Sequence, residues 1–175
     1  MRCAVLGSPI VHSLSPAMHR AAYATLGLEW SYGAFDVAEG ELREFVSEHR
    51  DGWRGYSVTA PLKREAAALA VSRDDDVVAV GVANTLVAAD NGWAAHNTDV
   101  PGAVNALRGV GIQAVRRVRI LGAGATAASL ALAAKRLGAT EVELRVREVA
   151  RAGRPAAAIE SIGLAVTVVP LHVAV

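Results

Sequence analysis

The segment Gly122-Ala123-Gly124-Ala125-Thr126-Ala127 constrains this chain more than any other. It follows a strand-like run, RRVRIL at 116–121, and opens an alanine-rich stretch at 125–137 that reads as a helix. The spacing is G-x-G-x-x-G/A. In that setting the first glycine permits a tight turn and the second lets the backbone approach a pyrophosphate. The small third residue lets helix and strand pack closely. Free N–H groups and the helix dipole then attract phosphate. A strand at 141–146, a helix over about 150–161 and a last strand at 164–169 complete one βαβαβ mononucleotide-binding half. A glycine-rich βα connection with no ligand is the alternative reading of the same turn.

The first hundred residues show a different alternation. RCAVL at 2–6 reads as a buried strand ending at Gly7. Ser15-Pro16 opens a helix, with serine as N-cap and proline in the first turn, and Gly27 closes it. A strand at 31–37, an amphipathic helix at 39–49 and a strand at 54–59 follow. Pro61 starts a helix that carries Lys63. Strands at 84–89 and 92–96 join at Asp90-Asn91-Gly92, a hairpin signal, and a helix runs from Asp99 to Leu107, before Gly109 and Gly111. The expectation is an α/β protein: a domain over 1–100 with a mostly parallel sheet and an antiparallel edge, then a Rossmann-type domain over 101–175. A complete dinucleotide fold has two βαβαβ halves, and only the first is expected here.

Composition excludes several classes. The 175 residues are 53% hydrophobic and 20% charged, the balance of a globular chain. A net charge of +1 offers no field for nucleic acid or an anionic membrane. No apolar run reaches the roughly 18 residues of a membrane span. MRCAVLGSPI does not read as a signal peptide. Cys3 is the single cysteine, which excludes a disulfide framework and a multi-thiolate zinc site. A cytoplasmic, reducing setting is expected. His12, His19, His49, His96 and His172 have no ligand spacing, so no metal site is read.

Polar residues near strand ends are the site candidates. Ser13 and Ser15, two hydroxyls at i and i+2 near a helix start, can hold a carboxylate. The bland reading of Ser15 is N-capping. Thr59, Lys63, Asn84 and Asp99 lie at strand ends or helix starts, on what reads as the carboxyl edge of a parallel sheet, where ligands bind. Asp99 also reads as a helix N-cap, and Lys63 as an exposed first-turn lysine. Only two of the 18 basic residues are lysines, Lys63 and Lys135, and lysine can give up a proton where arginine cannot. A lysine in a first turn is also poorly placed for the helix dipole. At the end of the strand after the glycine turn, an acidic residue favours the ribose hydroxyl of NAD, and arginine the 2′-phosphate of NADP. Arg147-Glu148 offers both, with Arg145 two residues before and Arg151 one turn on.

GSPIVHSLSPAMH, GYSVTAPLKREA, GVANTL, HNTDVPG and GAGATA occur in an order that resembles the shikimate dehydrogenase family, over roughly residues 3–152. The resemblance implies reversible, NADP-dependent reduction of 3-dehydroshikimate to shikimate in aromatic amino-acid biosynthesis. It implies a substrate domain followed by a Rossmann domain, with the active site in the cleft between them. By motif, Ser13 and Ser15 would bind the substrate carboxylate. Thr59, Asn84 and the Lys63–Asp99 pair would hold ring hydroxyls. Lys63 and Asp99 would be the catalytic pair, with Lys63 the acid/base group. Gly122 to Ala127, Arg147 and Arg151 would bind NADP. No nucleic acid or membrane partner is expected, and the state is a monomer or a homodimer.

The sequence departs from the family pattern in three places. Ala125 and Ala128 replace a glycine and a small or basic residue in the glycine loop. The 2′-phosphate motif reads Val146-Arg147-Glu148, which leaves NAD as the alternative cofactor and quinate as an alternative substrate. The second Rossmann half and a final helical segment bearing a substrate-binding glutamine are not expected in this chain. A non-catalytic shikimate-binding remnant is therefore the competing class. A methylenetetrahydrofolate dehydrogenase would share the two-domain layout, but the SLSP, SVTAPLK and NTD motifs argue against it.

Overall fold

A computed structural model describes residues 1–171; His172 lies outside the described residues. The chain divides into two units, Met1–Val77 with Ala83–His96, and Val78–Val82 with the residues from Asn97 onward. Both are α/β and mostly parallel.

The first unit holds β1 (Arg2–Gly7), α1 (Ser15–Thr25), β2 (Ser31–Asp36), α2 (Leu42–Glu48), β3 (Trp53–Val58), α3 (Lys63–Leu69) and β4 (Ser72–Arg73). After α4 (Asp75–Val80) come β5 (Thr85–Ala89) and β6 (Gly92–His96). The sheet order is β2-β1-β3-β5-β6-β4. Only β5 runs against the others, pairing antiparallel with β3 and β6. The antiparallel strand is thus interior rather than at the edge, because β3 and β6 flank it, and the short β4 extends the sheet beyond β6 in parallel. Strand alternation sets the two faces. Ala4 and Leu6 of β1 join Tyr56, Val58, Leu86 and Trp93 in the main core, with Leu42 and Val46 of α2 and Ala66 of α3. Val5 faces the other way, with Ile10 and Tyr32.

Several boundaries differ from expectation. α2 starts at Leu42, three residues later than predicted. α3 starts at Lys63 rather than Pro61. α4 and β4 were not expected, although Asp74 carries a readable cap: its Oδ1 accepts from Val77 N at 2.8 Å. Ser15 is not an N-cap. Leu14 already has helical dihedrals, so the helix starts at Ser15 and the acceptor moves back to Ser13, whose Oγ receives Ser15 N at 3.3 Å.

The second unit contains α5 (Asp99–Gly109), β7 (Arg117–Leu121), α6 (Ala125–Arg136), β8 (Glu141–Val146), α7 (Gly153–Glu160) and β9 (Ala165–Pro170). The predicted helix at 150–161 is a 3-10 turn over Val149–Ala152 followed by α7. The sheet β7-β8-β9 is all parallel, as a βαβαβ half requires. Ala127, Ala131 and Ala134 of α6 pack on Val142, Leu144 and Ile159. Its Ala128 and Leu132 pack on Val100 and Val104 of α5. Alanine lets α6 be buried on both sides. On the alternate side chains of β7 and β8, Arg117 pairs with Glu141, and Glu143 accepts from both Arg119 and Arg145.

Candidate functional site

In the first unit, the carboxyl ends of β1 and β3 meet closely. A Cβ on Gly7 would stand 2.3 Å from Thr59 Cγ2 and 2.8 Å from Ala60 O, so only glycine fits. Ser8 N donates to Ala60 O at 3.0 Å, and Thr59 N to Leu6 O at 2.9 Å. The loop from this end of β1 delivers Ser13 and Ser15, both half-buried.

Backbone bonds gather Thr59, Lys63 and Asn84. Leu62 N donates to Thr59 O at 2.9 Å, Val58 N to Asn84 O at 2.7 Å, and Ala83 N to Lys63 O at 2.8 Å. Asn84 Oδ1 accepts from Thr85 Oγ1 at 3.1 Å, which orients its amide. Lys63 is only 8% exposed, which removes the reading of it as a solvated first-turn lysine. A helix start is also electrostatically unfavourable for a lysine, so neither solvation nor the helix dipole accounts for its place.

Asp99 lies in the second unit, in the first turn of α5. It is not the N-cap. Thr98 already has helical dihedrals, and Asn97 Oδ1 accepts from Asp99 N at 3.1 Å and Val100 N at 3.3 Å. The capping side chain again stands two residues before the first helical residue, as at Ser13. Asn97 was missed in the sequence; its signal is an Asn two residues before an Asp that starts an apolar helical pattern.

The glycine turn has the geometry that phosphate binding needs. Gly122 has φ +104°, a conformation open to glycine, and its N donates to Arg145 O at 2.7 Å. No atom lies within 4 Å of a Cβ built on Gly122 or Gly124, so none of the described residues uses that space. Gly124 caps α6. Ala125 and Thr126 stand in its first turn, and Ala127 is buried against the sheet, the close packing expected of the third small residue.

A cleft of about 410 Å³ runs from Gly122 and Ala123 past Arg145, Arg147, Glu148 and Arg151. Arg145 is bonded to Glu143 at 2.6 Å, and Arg151 to Glu148 at 2.7 Å. Hydrogen bonds from Arg145 and then Arg119 hold the Glu143 carboxyl below the usual carboxylate range. Arg147 makes no ion pair among the described residues. Glu148, the residue that would repel a 2′-phosphate, is thus engaged by Arg151, and Arg147 stays available in the same cleft. Turn, open backbone and arginines fit a dinucleotide with an extra phosphate.

Among the described residues, no group of three or more His, Cys, Asp or Glu is placed to hold a metal ion, and no helix is long and apolar enough to cross a membrane.

Comparison with known proteins points one way. Residues 5–86 match the shikimate dehydrogenase substrate binding domain. The shikimate dehydrogenase (NADP(+)) of Anaeromyxobacter dehalogenans is 40% identical over 143 residues, 81% of this chain and 50% of that protein. The shikimate 5-dehydrogenase of Thermus thermophilus, solved in complex with NADP(H) and shikimate, superposes with a TM-score of 0.83 at 36% identity, covering 95% of this chain and 62% of that one. The Listeria monocytogenes enzyme, solved with shikimate and NAD, gives 0.83 at 30% identity, covering 97% and 61%. The chain spans about half the length of the curated relatives it matches.

Proposed function

We propose, for a chain that belongs to the shikimate dehydrogenase family, that its residues serve the reversible, NADP-dependent reduction of 3-dehydroshikimate to shikimate. The observation that carries this reading is the buried Lys63, gathered with Thr59 and Asn84 by backbone bonds at the end of β3.

The residues divide the work by chemistry. Ser13 and Ser15 donate hydroxyl hydrogen bonds to the substrate carboxylate; Ser13 Oγ is otherwise used as an acceptor. Thr59 and Asn84 hold ring hydroxyls. When bound, the nicotinamide supplies one hydride to the ketone carbon, or takes it back in the reverse direction. The ketone oxygen then carries the negative charge, and Lys63 places a positive charge beside it and gives it one proton. Asp99 is the carboxylate that the family resemblance assigns to the same chemistry. The backbone at Gly122 to Ala127, at the start of α6, receives the pyrophosphate, and Arg147 the 2′-phosphate, with Arg151 restraining Glu148.

NAD is the second reading, and Glu148 at the strand end favours it; the Glu148–Arg151 pair weighs toward NADP. One cysteine in the whole chain supports a reducing, cytoplasmic setting. The test is shikimate oxidation by the 175-residue chain with NADP⁺ and with NAD⁺, beside Lys63→Ala. NADP⁺-dependent turnover that falls about 10²–10⁴-fold in the variant is expected. Equal turnover by parent and variant would end the assignment of Lys63. No turnover with either cofactor would favour the binding remnant, and a rise in melting temperature with shikimate would then show that the pocket persists.

A further inference from the structure

Asn97 is 2% exposed and Ser129 is fully buried, two of only four buried polar side chains among the described residues. All four polar positions of the Asn97 amide are engaged. Oδ1 accepts from Asp99 N and Val100 N, while Nδ2 donates to Val82 O at 3.0 Å and to Ser129 Oγ at 2.9 Å. Capping alone does not need asparagine. Aspartate or serine would accept from the α5 amides equally well, but an ionised aspartate has no donor and serine has one. The two N–H donors are what the extra partners use.

Ser129 makes the other half of the case. It lies in α6 among Ala127, Ala128, Ala131, Ala133 and Ala134, where a hydroxyl is costly unless it is bonded. It stands four residues after Ala125, one turn below the glycine turn, on the face toward α5. The chain of contacts therefore runs from the dinucleotide turn, down one turn of α6, through Ser129 and Asn97, to the amide of Asp99.

We propose that Asn97 is the positioning residue for Asp99, and that Ser129 is its anchor, so that α6 sets where the Asp99 turn stands. The proposal rests on the reading of Asp99 as the site carboxylate. Neither residue touches the reacting atoms; each acts through Asp99. Any change in the start of α6 when a dinucleotide loads it is passed to Asp99 through this bond.

The test uses the full chain. Ser129→Ala removes the anchor, keeps the cap, and places the best helix former in a helix already rich in it. Amide hydrogen exchange is read by NMR, shikimate affinity by calorimetry and turnover by the NADP⁺-linked assay. Exchange at Asp99 and Val100 is expected to rise about tenfold, with β8 amides within twofold of the parent. Shikimate affinity and kcat should fall about threefold to tenfold, with NADP⁺ affinity within twofold. A general loosening of the unit would instead move β8 and NADP⁺ as well, and would overturn the proposal. So would unchanged exchange at Asp99 and Val100, or raised exchange with unchanged shikimate affinity and kcat. Asn97→Ala should exceed Ser129→Ala, and the double variant should add nothing to it; if Asn97→Ala does not fold, Ser129→Ala decides alone. Asp99→Asn separates the two claims. Unchanged shikimate affinity and kcat in that variant would sink the reading of Asp99, while exchange in Ser129→Ala would still decide whether Asn97 and Ser129 hold the turn.

Discussion

Two pairs of glycines, one pair in each unit, do opposite things. In the first unit they make room for the chain itself: Gly7 is pressed against Thr59 and Ala60, and Gly55 would put a Cβ 2.6 Å from Leu86 O. In the second unit Gly122 and Gly124 face open space. One set lets strands and loops close up; the other leaves the space beside the turn open. The candidate sites differ in the same way. Thr59, Lys63 and Asn84 offer side chains whose places are set by hydrogen bonds between strand ends. The glycine turn offers backbone, and its arginines follow at the end of the neighbouring strand. A side-chain site has to be assembled by the fold, whereas a backbone site is already written in the spacing of small residues.

The sharpest way to break this comparison is to add one methyl group to each kind of glycine. Gly7→Ala should lower stability by about 3 kcal/mol, since overpacking against backbone cannot relax. Gly124→Ala should stay within about 0.5 kcal/mol, yet weaken NADP⁺ binding. Denaturant unfolding and NADP⁺ titration of both variants check this; a stable Gly7→Ala would remove the packing role. A smaller effect concerns the cleft. Arg147→Ala should weaken NADP⁺ by about 2 kcal/mol, the worth of a charged hydrogen bond, and leave NAD⁺ unchanged. Equal losses with both cofactors would mean that Arg147 does not read the 2′-phosphate. The smallest effect is in acid. The Glu143 carboxyl is held low by Arg145 and Arg119, so its modest stabilisation is present above the ordinary carboxylate range and is lost as pH falls through the lowered value. Glu143→Gln should flatten that part of the pH–stability curve, and an unchanged curve would show the ladder to be neutral.

Much of the second unit was legible in the sequence because its signals are local. β8 falls at the predicted 141–146, and α6 starts at Ala125 as expected. Less of the first unit was legible. The interior position of β5 and the addition of β4 depend on partners far along the chain. The helix starts at Ser15 and Asp99 were legible, but their N-cap assignments failed for one reason: Leu14 and Thr98 already have helical dihedrals, so the capping acceptor sits one residue earlier than a cap pattern assumes.

The sequence by itself determined the α/β class, the glycine turn and the order of motifs, because strand periodicity, helix punctuation and backbone freedom are properties of neighbouring residues. It also named Lys63 and Asp99 as candidates. Only the tertiary structure decided that Lys63 is buried and that Asn97 reaches Val82 and Ser129. Burial and long-range hydrogen bonds join residues tens of positions apart, and no local pattern encodes which distant atom will arrive.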